Sequence, residues 1–365
     1  MNNLVVPFND LTRIHNPILK RITNEIEVMS KKSSFILGDY VEEFENNFSQ
    51  FTECKYTIGC ANGTDALEIV LRALNIGHKD EVIVPANTFI ATALAVSRCG
   101  ATPVFLDNDD YYLLNTSNIQ SSINKNTKAI IGVNLYGQLG YNKVLKKIAK
   151  ENKIYFIEDS AQSHGALQSN EPSGKHSIAA TYSFYPGKNL GAWGDGGCIT
   201  TNNKNLADRI RFLRNWGSTK KYIHNEKGFN SRLDPVQAII LNEKLKKLKE
   251  WNAERNHIAD YYLNNLDEKY HLPIPVKLNY HVWHLFVIRV AKRKKIIETG
   301  KKNLIEFGIH YPKPIHRQKA FQDSKQYLTK INNADNFSSK LLSLPIFPNM
   351  KMEEMKKVVR FLNQV

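Results

Sequence analysis

Lys188 is the residue of this 365-residue chain best placed for covalent chemistry. It lies in SFYPGKNLGAWGDGG, residues 183–197, and carries the one charge between Lys175 and Asp195. Gly187, Gly191, Gly194, Gly196 and Gly197 surround it. A lone lysine in a glycine-rich loop after an apolar run is poorly suited to a surface role. Desolvation there lowers an amine's pKa, as a lysine that attacks a carbonyl requires. An ordinary loop lysine has the same look in isolation.

A second group lies in KIYFIEDSAQSHGA, residues 153–166, where Asp159 closes an apolar run and Gln162 follows. A carboxylate at such a point serves as a metal ligand, a general base, a partner for a buried cation or a simple turn cap. Lys188 and Asp159 stand 29 positions apart on what should be neighbouring strand ends. A lysine with an acid beside it is the pair that pyridoxal phosphate enzymes use, the acid facing the pyridine nitrogen.

Other segments offer phosphate and ring contacts. Asn62, Gly63 and Thr64, in CANGTDALEIVLRAL, fall between a strand pattern and a helix pattern. Free N–H groups at a helix start attract phosphate, with about 0.3–1 kcal/mol from the dipole. Ser183 is a further phosphate candidate. Phe89, in PANTFIATA, could stack on a flat ring or pack in the core. Asn230, in GFNSRLDPVQA, could reach a phosphate or cap the helix that follows.

These residues sit at the ends of apolar runs. Seven strands are expected: 55–59, 81–85, 103–107, 128–136, 153–159, 180–185 and 197–201. Their near-continuous apolar character suits strands buried on both faces. Helical patterns at 64–74, 89–98 and 143–151 fall between them, as in a mainly parallel α/β sheet, where ligands bind at the carboxyl ends. A long helix is expected over 236–266, then a strand-like run at 281–290, a helix at about 292–307 and a closing helix from 352. The expected division is a large domain over 1–250, with an N-terminal arm, and a smaller α+β domain over 251–365.

Fifty Lys and Arg against 35 Asp and Glu give a net charge of +15. That balance raises the question of a polyanion partner. The basic runs are short: 244–250, 292–295 and Lys301–Lys302. They lie in or beside helical patterns, with no interleaved aromatics. A solvated surface is expected, with no nucleic-acid partner. Cys54, Cys60, Cys99 and Cys198 match no zinc spacing and no disulfide framework, so no metal is expected and reduced thiols fit best. MNNLVVPFND lacks a basic stretch followed by an apolar one. No run reaches the roughly 20 apolar residues of a spanning helix. A cytoplasmic location without a membrane partner is expected.

Together the segments resemble the nucleotide-sugar aminotransferases, a family dependent on pyridoxal 5'-phosphate (PLP) with the aspartate-aminotransferase fold. The likeness runs from FILGDYVEEFE at 35 to HYPKPIH at 310–316 and SLPIFPNM at 343–350, with motifs in the family's order and spacing. It implies fold type I: a large α/β domain on a mainly parallel seven-stranded sheet, plus a small α+β domain. It also implies that Lys188 bonds the cofactor, Asp159 faces the pyridine nitrogen and Gln162 lies by the phenolic oxygen. Gly63, Thr64 and Ser183 would hold the phosphate, and Phe89 would stack on the ring. Asn230 would reach the cofactor of a neighbouring subunit, which implies a homodimer with shared sites. His310 and Tyr311 would approach the sugar nucleotide. Tyr185 and Asp195 stand where the branch that aminates C4 commonly has His and Glu. SFYPGKNLGA with GDGG and NLYGQ (134–138) resembles instead the branch acting on 3-keto-6-deoxyhexoses. The implied partners are L-glutamate and a dTDP-linked keto sugar. Lys220 and Lys221 could reach the diphosphate or be solvated. A 4-keto enzyme and a PLP-binding regulator are the alternatives.

Overall fold

The computed structural model describes residues 4–322 and 330–365. Seven strands form one sheet: β1 Tyr56–Cys60, β2 Glu81–Pro85, β3 Thr102–Leu106, β4 Thr127–Val133, β5 Tyr155–Asp159, β6 Ala179–Ser183 and β7 Gly197–Thr201. All seven expected strands are present, with ends shifted by a few residues at most. Their order is β1-β7-β6-β5-β4-β2-β3. The β6-β5-β4-β2-β3 pairs are parallel, and β7 runs antiparallel to both β1 and β6. The central strands are buried almost throughout, which explains why they read as continuous apolar runs.

Among the described residues, nine main helices surround or extend this sheet: α1 Leu19–Lys31, α2 Asp39–Thr52, α3 Gly63–Ala73, α4 Ala91–Arg98, α5 Asn142–Glu151, α6 Lys204–Arg214, α7 Pro235–Asn265, α8 Arg293–Lys302 and α9 Met352–Gln364. Parallel neighbours need crossovers, and α4 supplies the one from β2 to β3 and α5 the one from β4 to β5. Helix α3 packs against α4 and across β6 and β7. At 31 residues, α7 is about 46 Å long. It starts with Pro235 in the first turn, where a missing N–H costs nothing.

A second core gathers Ile258 and Tyr262 of α7, Phe286, Leu342 and Leu344, and Val358 and Leu362 of α9. Its strands β8 Phe286–Arg289 and β9 Leu341–Leu344 are antiparallel. The arm before α1 joins this core through Val6, which bridges to Ile305. The division expected at 250 falls within α7, whose Leu248 packs in a core beneath the large sheet.

The runs at 292–295 and Lys301–Lys302 lie mostly in solvent, as a solvated basic surface requires. Lys244 departs from that expectation: it is fully buried. Helical periodicity turns it inward, where Nζ donates to the Gly191 carbonyl and meets His15 Nε2 at 3.2 Å. Burial lowers its pKa to about 7. The four cysteines are free and buried. Among the described residues no helix is long and apolar enough to cross a membrane, and no cluster suited to a metal occurs.

Candidate active site

A cavity of about 930 Å³ opens at the carboxyl ends of β4, β5 and β6, between the large sheet and the second core. Lys188, Asp159, Gln162 and Ser183 all line it. So do Gly63, Thr64, Phe89, Tyr185, Asp195, His310 and Tyr311. Lys220, Lys221 and Asn230 do not. They are exposed on the 218–230 segment, where Asn230 Oδ1 accepts from Arg232 Nη2 at 2.6 Å.

The loop that carries Lys188 turns tightly. A Cβ on Gly191 would fall 2.2 Å from the Pro186 carbonyl oxygen, so only glycine fits. The Lys188 N–H donates to the Tyr185 carbonyl at 2.8 Å, closing the turn. Burial lowers the Lys188 amine to about 8, against the pull of Asp159 that favours its charged form.

Asp159 ends β5 and is buried. Its Oδ2 accepts from Thr92 Oγ1 at 2.8 Å, and Oδ1 accepts from the Ala161 N–H at 3.2 Å. Burial raises its pKa, while these hydrogen bonds and Lys188 pull it down. Gln162 Oε1 accepts from the Tyr136 N–H at 2.7 Å, which leaves Nε2 to donate to Tyr311 Oη at 3.0 Å. The Tyr136 hydroxyl donates to the His310 carbonyl. His310 also stacks on Phe8, with ring centres 5.6 Å apart. Burial, and then the charge of Lys188, lowers His310 to about 4.

At the other end, Asn62 Oδ1 caps α3 by accepting from the Asp65 N–H at 2.8 Å. The N–H groups of Gly63 and Thr64, in the first turn, have no intrahelical acceptor. A Cβ on Gly63 would stand 2.7 Å from Ser183 Cβ, so glycine lets the helix start meet the end of β6. Two backbone donors and a hydroxyl thus converge. Phe89 is 53% exposed because its face looks into the cavity, with Tyr311 at 5.7 Å between ring centres.

A flat, phosphorylated pyridine aldehyde fits this donor set. The helix start with Ser183 suits a phosphate, Phe89 suits a ring face, and a buried carboxylate stands with a near-neutral amine. Thr92, Phe8, Asn9, Arg255 and His284 also line or support the site. Residue types alone do not single these out.

The DegT/DnrJ/EryC1/StrS aminotransferase family model matches residues 17–363. A dTDP-3-amino-3,6-dideoxy-alpha-D-galactopyranose transaminase of Aneurinibacillus thermoaerophilus is 44% identical over 99% of both chains. A protein named pleiotropic regulatory protein, of Geobacillus stearothermophilus, is 39% identical over 97% of this chain and 96% of its own. The crystal structure of S. venezuelae DesV superposes with a TM-score of 0.96 at 36% identity, covering 99% of this chain and 98% of that one. With the cavity, the fold and the match all in agreement, the chain belongs to the DegT/DnrJ/EryC1/StrS aminotransferase family.

Proposed function

We propose that this chain moves the amino group of L-glutamate to the C3 ketone of a dTDP-linked 3-keto-6-deoxyhexose, using PLP. The products are 2-oxoglutarate and a dTDP-3-amino-3,6-dideoxyhexose for glycan assembly. The observation that carries the chemistry is the buried Asp159 facing the same cavity as Lys188, whose amine is near neutral. The sugar assignment is supported by the transaminase from A. thermoaerophilus and by the sequence of the 183–197 loop.

Bound here, the cofactor supplies an electron sink for negative charge developing at the substrate carbon. Lys188 would hold the cofactor, and its free amine would take the proton from the donor's α-carbon and return one to the sugar carbon. A pKa of about 8 suits both directions near neutral pH. Asp159 would keep the pyridine nitrogen protonated, and Thr92 and the Ala161 N–H keep that carboxylate oriented. Gly63, Thr64 and Ser183 would hold the phosphate. Phe89 would stack on the ring, and Gln162 would lie by its phenolic edge. Tyr185, His310 and Tyr311 would flank the sugar.

A homodimer with shared sites extends this reading. Trp216, Tyr222 and Ile223 are 46%, 83% and 53% exposed beside Lys220 and Asn230, which suits a covered surface. In the dimer, Asn230 and Lys220 would reach the neighbour's cofactor phosphate and sugar diphosphate. The protein would then work in the cytoplasm without nucleic acid.

Purified protein should be yellow, and Lys188→Ala should abolish the band. Incubation with glutamate and either the 3-keto or the 4-keto nucleotide sugar, followed by mass spectrometry and NMR, identifies the product. A 4-amino product overturns the substrate assignment. A colourless protein that gains no band with added PLP overturns the chemistry. Salt-sensitive DNA binding without turnover would favour the regulator suggested by the G. stearothermophilus relative.

A further inference from the structure

The wall of the cavity contributed by the smaller core holds two groups without a role so far, His284 and Arg255. Hydrogen bonds fix which nitrogen of His284 carries its proton. Asn252 Nδ2 donates to the His164 carbonyl at 2.9 Å, so its Oδ1 must be the acceptor facing Asn189. Asn189 Nδ2 donates to that oxygen at 2.9 Å and to the Val282 carbonyl at 2.8 Å. Both of its N–H groups are thereby used. Only Asn189 Oδ1 remains for His284 Nδ1, at 3.2 Å. Two backbone carbonyls, which can only accept, set both amides. Nδ1 therefore carries the proton, and Nε2 is an acceptor. Among the described residues Nε2 has no hydrogen-bond partner. Burial, with the charges of Lys188 and Arg255 adding, keeps the imidazole neutral.

Arg255 projects from α7 and is 4% exposed. Its Nη1 donates to the carbonyls of Trp283 at 3.2 Å and Ile346 at 2.8 Å. It makes no ion pair among the described residues. The adjacent Glu254 instead accepts from the Asn349 N–H at 2.5 Å. The other arginine of the cavity, Arg98, is paired with Glu68 at 2.7 Å. Burial lowers Arg255 only to about 10, so it is charged at neutral pH. A buried guanidinium bound to carbonyls, with Glu254 felt but not paired, is only partly compensated, and an anion in the cavity would offset the rest.

We propose that these two groups sort the two substrates that alternate in the cavity. Arg255 receives the α-carboxylate of the amino donor, and His284 Nε2 accepts a hydrogen bond from the sugar hydroxyl beside the reacting ketone. The inference rests on the aminotransferase reading and deepens it. The donor's α-carboxylate is bonded to the reacting carbon, so it must sit on a wall next to Lys188. Lys188, Arg255 and His284 line one cavity, Arg255 and His284 on the wall of the smaller core. A carboxylate only accepts, so it cannot hydrogen-bond to Nε2 and must use the guanidinium. The sugar has no carboxylate there, but its hydroxyl donates. The nucleotide diphosphate is several bonds from the ketone, so it need not use this wall. One donor and one acceptor thus let a single site hold two chemically unlike substrates.

The test uses holoenzyme and follows each half-reaction by cofactor absorbance in single turnovers. Calorimetric binding of glutarate, a dicarboxylate without an amine, gives a readout besides turnover. Arg255→Gln should weaken glutarate binding and raise the half-saturation for glutamate at least 30-fold, leaving the sugar half-reaction within threefold. His284→Phe should do the reverse. Arg255→Lys keeps the charge without the fork and should lose less glutarate affinity than Arg255→Gln. It also serves as the second variant should Arg255→Gln not fold. Unchanged glutarate affinity in the folded Arg255 variants overturns the inference. So do equal losses in both half-reactions for either residue. No glutamate half-reaction in the unaltered protein would defeat the aminotransferase reading itself.

Discussion

Replacing Lys188 by methionine in the cofactor-free chain should make the protein more stable near neutral pH. The side chains are similar in length, so the change removes mainly the charge. The drop of the Lys188 pKa from 10.5 to about 8 states that folding disfavours its protonated form. At 1.36 kcal/mol per unit, this is about 3 kcal/mol. Solvent reaching the open cavity screens part of it, so a gain of about 1–3 kcal/mol is expected at pH 7. The sign follows from proton uptake. Between about pH 8 and 10.5 the unfolded wild type holds a proton that the folded form has released. Wild-type stability therefore rises across that window relative to the variant, and the gap closes. Urea unfolding of both proteins at pH 7, 8.5 and 10, each stripped of cofactor, measures it. A variant less stable than wild type at pH 7, or a gap that widens with pH, would refute the claim that burial depresses this amine.

Asp159→Asn preserves shape but removes the charge facing the ring. A charge pair at about 4 Å is worth up to roughly 4 kcal/mol at an effective dielectric of 20. Turnover should fall on the order of 100–1,000-fold while the yellow band persists; near-normal turnover would contradict the role given to Asp159. Gly63→Ala places a methyl 2.7 Å from Ser183 Cβ. Such overpacking costs about 1–3 kcal/mol, and equilibrium dialysis of PLP should show affinity reduced at least tenfold.

Much of the architecture is legible because parallel strands buried on both faces cannot hide their apolar runs. The cofactor-side residues are legible for a related reason: Lys188, Asp159 and Ser183 stand at or just beyond strand ends, where apolar pattern breaks into polar residues. The opposite wall is not. Arg255 falls on a helical repeat and His284 in HVWHLFVIRV, where both look like ordinary core punctuation. Their meaning comes from hydrogen bonds to residues tens of positions away, such as Asn189 with Val282. Thr92 is hidden likewise, since nothing local links it to Asp159, 67 positions on. Helices α1 and α2 were not expected at all. Strongly polar on one face, they gain burial by lying on α7, and α2 also by packing on β1. Lys244 shows the converse: a basic run reads as solvated surface until the helix's rotation is known.

The bridge from Val6 to Ile305 has a consequence in time as well as in space. During synthesis Val6 emerges about 300 residues ahead of its partner. At about 5–20 residues per second, it waits roughly 15–60 s. The large sheet is complete by Thr201, so it can assemble before Ile240 and Trp251, on which Ile14 and Ile18 of the arm pack, and long before Ile305. Through that interval Val6 lacks the bridge partner that it has in the finished fold. Phe8 reaches His310 only when the last stretch of chain is made. The cavity therefore gains its Phe8–His310 wall only after His310 is made, late in the order of synthesis.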